Sequence, residues 1–292
     1  MPEPEPRLHL PSGAVAGDGD LVHVTPERAG WAFSGLRVLR VEAGQTRAID
    51  TGDSEVVVLP LTGSCVVRTE GQSFRLEGRR SVFERITDFA YVPRDARFEI
   101  ETDAGGEFAL PMARARRRLS AAYGPAEKVP VEIRGAGDAT RQVTNFCTPQ
   151  SFPTDRLTAC ELITPAGNWS SFPPHKHDEA RAGEAILEEI YYFRVAGPAG
   201  FAMHRTYAAD GAFDVTVTVA DGDVFLVPRG YHGPSVASPS HDLYYLNVLA
   251  GPGAERTMAF CDDPRHHWIR ETWSAMAPDP RVPMTSAKGR TR

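Results

Sequence analysis

Val215-Thr216-Val217-Thr218-Val219, followed by Asp221-Gly222-Asp223-Val224-Phe225-Leu226-Val227-Pro228-Arg229-Gly230-Tyr231-His232, is the stretch that decides the fold class. Its first five residues alternate β-branched side chains with threonine, the period-two pattern of a strand with unlike faces. A glycine turn, a short apolar run and a Pro-Arg-Gly turn follow. Similar runs recur at 36–41, 56–61, 65–68, 98–101 and 243–249. Between them fall many of the chain's 26 glycines and 24 prolines, which is the punctuation of an all-β sandwich or barrel. No long amphipathic helix is legible, and short helices are expected only near 111–123 and 263–273.

A faint internal repeat runs through the chain. Tyr91-Val92-Pro93-Arg94-Asp95-Ala96-Arg97 resembles Leu226-Val227-Pro228-Arg229-Gly230-Tyr231-His232, and in both an apolar run enters a Val-Pro-Arg turn. Two related β domains in tandem are therefore expected, 1–140 and 141–292, the second with a C-terminal extension. The expected joint is a connector at about 127–150. In this register Arg97 stands where the second half has His232. The only histidines before residue 150 are His9 and His23. The first domain is thus expected to lack a metal and to serve a structural or dimerising role.

Composition bounds the partners. The 292 residues are 41% hydrophobic and 24% charged with net charge -6, which is ordinary for a globular protein and offers no dominant basic footprint for nucleic acid. The densest basic run, Arg114-Ala115-Arg116-Arg117-Arg118, reads as a solvated face or connector. No apolar stretch has membrane-spanning length. The acidic, proline-rich Met1-Pro2-Glu3-Pro4-Glu5-Pro6 is unlike a signal peptide, so the cytoplasm is the expected location. Cys65, Cys147, Cys160 and Cys261 are widely spaced and are expected to be buried free thiols.

Chemistry concentrates in four residues. His175 and His177, in Pro173-Pro174-His175-Lys176-His177-Asp178-Glu179, lie two apart, so on a strand both face the same way. Glu189 heads a strand-like run, Glu189-Ile190-Tyr191-Tyr192-Phe193, after a charged loop at 178–188. His232 ends the Pro-Arg-Gly turn. Three imidazoles and one carboxylate suit a single divalent ion, whether zinc, manganese or iron(II). The bland alternative is surface histidines and solvated glutamates. Alternation puts Glu188 on the opposite face from Glu189.

In order and context these residues resemble the metal motif of cupins, and further segments narrow the resemblance. Leu187-Glu188-Glu189-Ile190-Tyr191-Tyr192, Val227-Pro228-Arg229-Gly230-Tyr231-His232, Asp242-Leu243-Tyr244-Tyr245-Leu246-Asn247-Val248 and Asp262-Asp263-Pro264-Arg265-His266-His267-Trp268 look like the 5-deoxy-glucuronate isomerase family of inositol catabolism. The resemblance covers essentially the whole chain and is densest from 168 to 273. It implies a bicupin of two tandem double-stranded β-helix (jelly-roll) barrels. It also implies one divalent metal on His175, His177, Glu189 and His232. The pectin-pathway isomerase of 5-keto-4-deoxyuronate is a relative in which the glutamate follows His-x-His more closely, so the longer spacing here favours the inositol-pathway enzyme. One departure is Phe193, where a histidine is expected.

The implied reaction interconverts 5-deoxy-D-glucuronate and 5-dehydro-2-deoxy-D-gluconate by moving a proton between adjacent carbons through an enediol-like species. Tyr191, which shares the face of Glu189, and Tyr245, which shares a face with Asn247, are the candidate proton-handling residues. Arg205, Arg229 and Tyr231 are the candidate substrate-binding residues, the arginines offering a fork to the sugar acid's carboxylate. For Arg229 a turn salt bridge is an equal reading, since Arg94 has the same context without a metal. Lys176 should point away from the ligands. The expected partner is a small sugar acid, with no nucleic acid or membrane, and a homo-oligomer is left open. An isomerase of another deoxy-uronate, an iron dioxygenase on the same ligands and a non-catalytic sugar-binding cupin remain the alternatives.

Overall fold

The computed structural model describes residues 7–17 and 19–291, so the acidic segment at 1–6 lies outside the described residues. The chain is almost entirely β. A nine-stranded sheet carries, in order, Ala122–Gly124, Phe89–Val92, Ser54–Thr69, Gly106–Arg114, Ser34–Val41 and Asp20–Val24. The strand Ser54–Thr69 curls on to pair with Gln72–Arg79 and Arg97–Thr102, and Arg97–Thr102 also pairs with Gln45–Asp50. A seven-stranded sheet runs His9–Leu10, Val224–Val227, Glu188–Val195, Leu243–Ala250, Thr158–Thr164, Arg141–Cys147, Val131–Arg134. A six-stranded sheet completes the second half, with Asp214–Val219, Ala202–Tyr207, Tyr231–Ala237, His175–Lys176 and Cys261–Asp262 in order and Trp169–Ser170 beside Tyr231–Ala237.

Both halves follow one succession. From Phe89–Val92 to Asp20–Val24, and from Val224–Val227 to Arg141–Cys147, neighbouring strands come from the fourth, third, fifth, second and first of five positions along each half. The Val-Pro-Arg turns sit at corresponding corners, after Phe89–Val92 and after Val224–Val227. Each turn holds a residue in the left-handed region, Asp95 at φ 54° and Gly230 at φ 91°. At Gly230 a side chain would also meet the Tyr207 carbonyl at 2.6 Å, so glycine is required on two counts.

The continuous apolar runs follow from sheets buried on both faces. Val57 and Leu59 join Ile190, Tyr192, Leu246 and Val248 in a core between the two large sheets. Their alternate neighbours Val56 and Val58 form a second core with Phe98, Ile100 and Phe108 inside the curled nine-stranded sheet. Tyr191, Phe193, Phe225 and Tyr245 belong to a third.

Two glutamates, the buried Glu55 and the half-buried Glu188, clasp the halves. Glu188 accepts the backbone N–H groups of Ala32, Phe33 and Ser34 at 2.7, 2.8 and 2.8 Å. Glu55 accepts those of Asp155, Arg156 and Leu157 at 2.7, 2.6 and 2.7 Å, plus the Tyr91 hydroxyl at 2.9 Å. Val56 is opposite Val92 and Glu189 is opposite Val227, so Glu55 and Glu188 occupy the same register of the repeat.

Three expectations are corrected. The segment 111–123 is not helical: Pro111 lies in Gly106–Arg114 opposite Leu36, and Ala122–Gly124 is an edge strand. An all-apolar run has no readable period, and that concealed the strand. The segment 127–150 is no loose connector. Val131–Arg134 and Arg141–Cys147 form a hairpin of the seven-stranded sheet, which a boundary at 140 would cut. The loop at 178–188 is instead a small hairpin, Asp178–Arg181 with Glu184–Ile186. The helix near 263–273 does occur, as the short turn Ile269–Thr272. The basic run is occupied by its own carboxylates, Arg114 with Glu27 and Asp53, Arg117 with Asp155 and Arg118 with Glu70. Among the described residues no helix is long and apolar enough to cross a membrane. All four cysteines are free, and burial pushes the Cys65, Cys147 and Cys160 thiols up to about 12.

Candidate metal centre

The strand Glu188–Val195 places the carboxylate. Its odd-numbered residues point into the core between the seven- and six-stranded sheets, so Glu189 shares a face with Tyr191 and Phe193 while Glu188 turns to the other half. The imidazoles come from the opposite sheet. His175 is the register partner of His232, and His177 follows directly on His175–Lys176. The ligating atoms of His177, Glu189 and His232 lie within 4.8 Å of one another, all buried. His175 stands beside this trio, its ring centroid 4.6 Å from that of His232 and 4.7 Å from that of Phe260.

The orientation of the rings is informative. His177 Nδ1 donates to the Leu187 carbonyl at 3.0 Å, His175 Nδ1 to Pro173 at 3.2 Å and His232 Nδ1 to Gly230 at 3.2 Å. Those bonds assign the Nδ1 tautomer and leave each Nε2 with a lone pair. The Nε2 atoms of His177 and His232 both lie 3.1 Å from Glu189 Oε2, and His232 Nε2 has no geometrically sound hydrogen bond. Two lone pairs and a carboxylate oxygen converging in a buried site call for a cation, and backbone-anchored imidazoles are how ligating histidines are held. Burial alone would raise the Glu189 carboxyl, but His232 and His177 hold it well below its ordinary value, so it stays an anion. Burial, with His232 adding to it, pushes His175 well below the usual imidazole range and keeps it neutral. The donor set therefore fits a divalent metal ion.

Support around the cluster is polar and tied down. Lys176, directed away as expected, binds Asp178, Glu179 and Glu184 at 2.5, 2.8 and 2.8 Å. Asp178 also accepts the Gly230 N–H at 2.7 Å, fastening the hairpin to the turn that presents His232. In the first half the equivalent positions carry Val56 in place of Glu189 and an exposed Asp50–Arg97 ion pair at 3.2 Å in place of His175 and His232. The core there is hydrocarbon.

A cavity opens on the cluster, lined by His175, His177, Glu189, Ser171, Cys160, Asn247, Met258, Phe260, Arg134 and Arg141 among others. Tyr191 and Tyr245 are fully buried beside the cluster rather than on the cavity wall. The Tyr191 ring lies 6.1 Å from His232 and 5.2 Å from Tyr245, and its hydroxyl has no hydrogen-bond partner of sound geometry. The Tyr245 hydroxyl is held by Ser170 and Ser171. Burial raises both phenols, so at neutral pH they are proton donors rather than bases.

The expected substrate residues are not brought to this cavity. On Ala202–Tyr207, alternation sends His204 and Thr206 inward and Arg205 outward, where it pairs with Asp214 at 2.8 and 2.6 Å. Arg205 and Tyr231 line a separate hollow with Tyr207, Asp263 and Arg265. Arg229 pairs with Asp210 at 3.2 Å in the turn, the salt-bridge reading of that residue. The cations that do reach the cavity, Arg134 and Arg141, sit on the hairpin within 127–150, whose polar sequence resembles a connector. His204 is a neutral core histidine between Ser235 and Thr206, pushed down to about 3 by burial. His267 pairs with Asp262, whose backbone faces His175.

A curled all-β fold with a buried imidazole–carboxylate cluster in its second half is cupin-like. Solved oxalate decarboxylase from Bacillus subtilis shares this fold, with TM-score 0.63 at 14% identity over 89% of this chain and 80% of that one. The chain belongs to the KduI/IolB family, whose model matches residues 8–269. It is 41% identical to a 5-deoxy-glucuronate isomerase from Geobacillus kaustophilus over 91% of this chain and 96% of that one. The crystal structure of an IolB-like protein from Salmonella typhimurium superposes with TM-score 0.84 at 33% identity, covering 90% of this chain and 99% of that one.

Proposed function

We propose that the protein is a metal-dependent aldose–ketose isomerase that converts 5-deoxy-D-glucuronate to 5-dehydro-2-deoxy-D-gluconate. The observation that carries the metal is the set of three imidazoles whose Nδ1 atoms are anchored to backbone carbonyls, two of which, His177 and His232, aim their Nε2 atoms at Glu189. The substrate reading rests on family membership and on relatives of nearly equal length named for that reaction. His177, Glu189 and His232 would hold the ion, with His175 as fourth ligand. When bound, a divalent ion supplies Lewis acidity for the carbonyl and neighbouring hydroxyl.

The chain's own residues supply the rest. Met258, Phe260 and Leu249 restrict water at the cluster. Asn247 Oδ1, a buried acceptor without a donor, suits a substrate hydroxyl. Tyr191 and Tyr245, buried beside the cluster, hold their phenolic protons at neutral pH. In fold terms we infer two tandem cupin barrels, supported by the shared strand succession and the Glu55–Glu188 correspondence, with only the second equipped for chemistry.

The test is turnover of 5-deoxy-glucuronate by wild type and His177→Ala, with metal content measured on both. The isomerase reading expects product of unchanged mass without dioxygen, and loss of both metal and turnover in the variant. Oxygen uptake coupled to turnover would replace it with an iron dioxygenase. A metal-free variant that keeps full activity would remove the metal from the mechanism.

A further inference from the structure

We propose that Arg141 is the anion seat of the active site and binds the carboxylate of the sugar-acid substrate, with Arg134 flanking it. This rests on the isomerase reading for the identity of the substrate, but the seat itself is argued from the cavity.

Arg141 is only 2% exposed, yet it lines the cavity that opens on His175, His177 and Glu189. Its Nη1 donates to the carbonyls of Ala139 and Phe172 at 3.0 and 3.3 Å, while Nε is buried with no acceptor at all. Among the described residues no carboxylate forms an ion pair with it. Of the other buried guanidinium groups among the described residues, Arg79 has Glu161, while Arg156 has no carboxylate partner and lies on the Gly251 carbonyl and the Phe33 ring. An unpaired buried cation is costly, and a protein keeps one where a ligand completes it.

The neighbours sharpen the case. Arg134 is the register partner of Arg141 across the hairpin and lines the same cavity. Like charges placed directly opposite on a sheet repel. Glu132 satisfies Arg134 through two bonds at 2.9 and 2.8 Å and leaves Arg141 the uncompensated one. Burial, with Arg134 and Arg270 adding like charge, brings the Arg141 guanidinium down to about 10, still protonated at neutral pH. Asn247 Oδ1, unpartnered on the same wall, adds a hydroxyl acceptor. A cation at one place, a metal centre at another and a hydroxyl acceptor on the same wall match an open-chain uronate, with carboxylate at one end and carbonyl at the other.

The test uses the metal-loaded enzyme and three measurements. Arg141→Gln should raise KM for 5-deoxy-glucuronate by about 100-fold, the loss of one charge-assisted bidentate pair, with a smaller change in kcat. Arg141→Lys should fall between the two. Arg205→Gln, whose side chain points away, should leave KM unchanged; a KM rise in Arg205→Gln with none in Arg141→Gln overturns the proposal. Calorimetric titration with D-glucuronate reads the seat independently of turnover: wild type binds and Arg141→Gln does not. Binding that survives the substitution overturns the seat. Lost binding in a protein that fails to isomerise 5-deoxy-glucuronate overturns only the isomerase reading. Should the variants not fold, wild-type enzyme decides, because the neutral primary amide of the substrate should be turned over with kcat/KM reduced about 100-fold. Equal use of acid and amide refutes the proposal. A purely structural Arg141 predicts a lowered melting temperature in Arg141→Gln, whereas removal of an uncompensated charge leaves it unchanged or raised.

Discussion

Glu188 and Glu189 are adjacent and chemically identical, yet the strand that carries them assigns opposite roles, and substitution separates the two. Glu188→Ala removes an acceptor from three backbone N–H groups at 2.7–2.8 Å. Ala32 is exposed and water replaces its bond, whereas Ser34 is fully buried and Phe33 is half-buried. Two charge-assisted bonds without replacement cost about 3 kcal/mol. For a chain of this length that is a drop of about 5 °C in melting temperature. Metal content and turnover per folded molecule should be unchanged. Glu189→Ala should do the reverse and abolish metal retention, leaving the apo-protein as stable as apo wild type or more so. The assays are thermal melts of apo and loaded protein with elemental analysis of each. Loss of metal from Glu188→Ala at a level comparable to Glu189→Ala would refute the face assignment and the strand register behind it.

Other predictions follow from particular contacts. Glu55→Ala should cost more than Glu188→Ala, about 4 kcal/mol, because its three N–H partners are buried and it also loses the Tyr91 hydroxyl; chemical denaturation of the two variants side by side checks the order. Burial alone would raise the Glu184 carboxyl, but Cys261, Lys176 and Arg181 hold it down to about 2. A depressed carboxyl contributes stability above its unfolded pKa, near ~4.3, and loses it as pH falls toward 2. The gap in melting temperature between wild type and Glu184→Gln should therefore correspond to ~3 kcal/mol at pH 7 and close in strong acid. A gap that is constant with pH contradicts this. Tyr191→Phe should stabilise the fold by about 1 kcal/mol, since it removes a buried hydroxyl without a partner, while lowering kcat. A variant with unchanged kcat would leave Tyr191 a packing residue.

The parts legible in the sequence were those where the strand period is visible. His-x-His, the odd register of Glu189 and the turn before His232 each depend on alternation over a few residues, and the structure brings them to one place. The duplicated strand succession was legible through the two Val-Pro-Arg turns. Arg141 and Arg134 were not, because they lie in a polar hairpin at a sheet edge that reads as connector until its partner strand Thr158–Thr164 is known. Arg205 misled for the opposite reason. It lies on a strand of this barrel, but the same alternation that hides His204 directs Arg205 to solvent. The expected helix at 111–123 failed because Phe108 to Ala113, apolar on both faces, carries no period that marks it as the strand Gly106–Arg114.

The central claim is that this chain moves a proton within 5-deoxy-glucuronate at the His177–Glu189–His232 cluster. The most direct measurement is proton NMR of that substrate in deuterated buffer without oxygen, comparing chelator-stripped protein with the same protein reloaded with a divalent ion. The account predicts conversion to 5-dehydro-2-deoxy-gluconate only after reloading, with deuterium entering at the carbon that receives the proton. Equal conversion by the stripped protein, or none with zinc, manganese or iron(II), would contradict it.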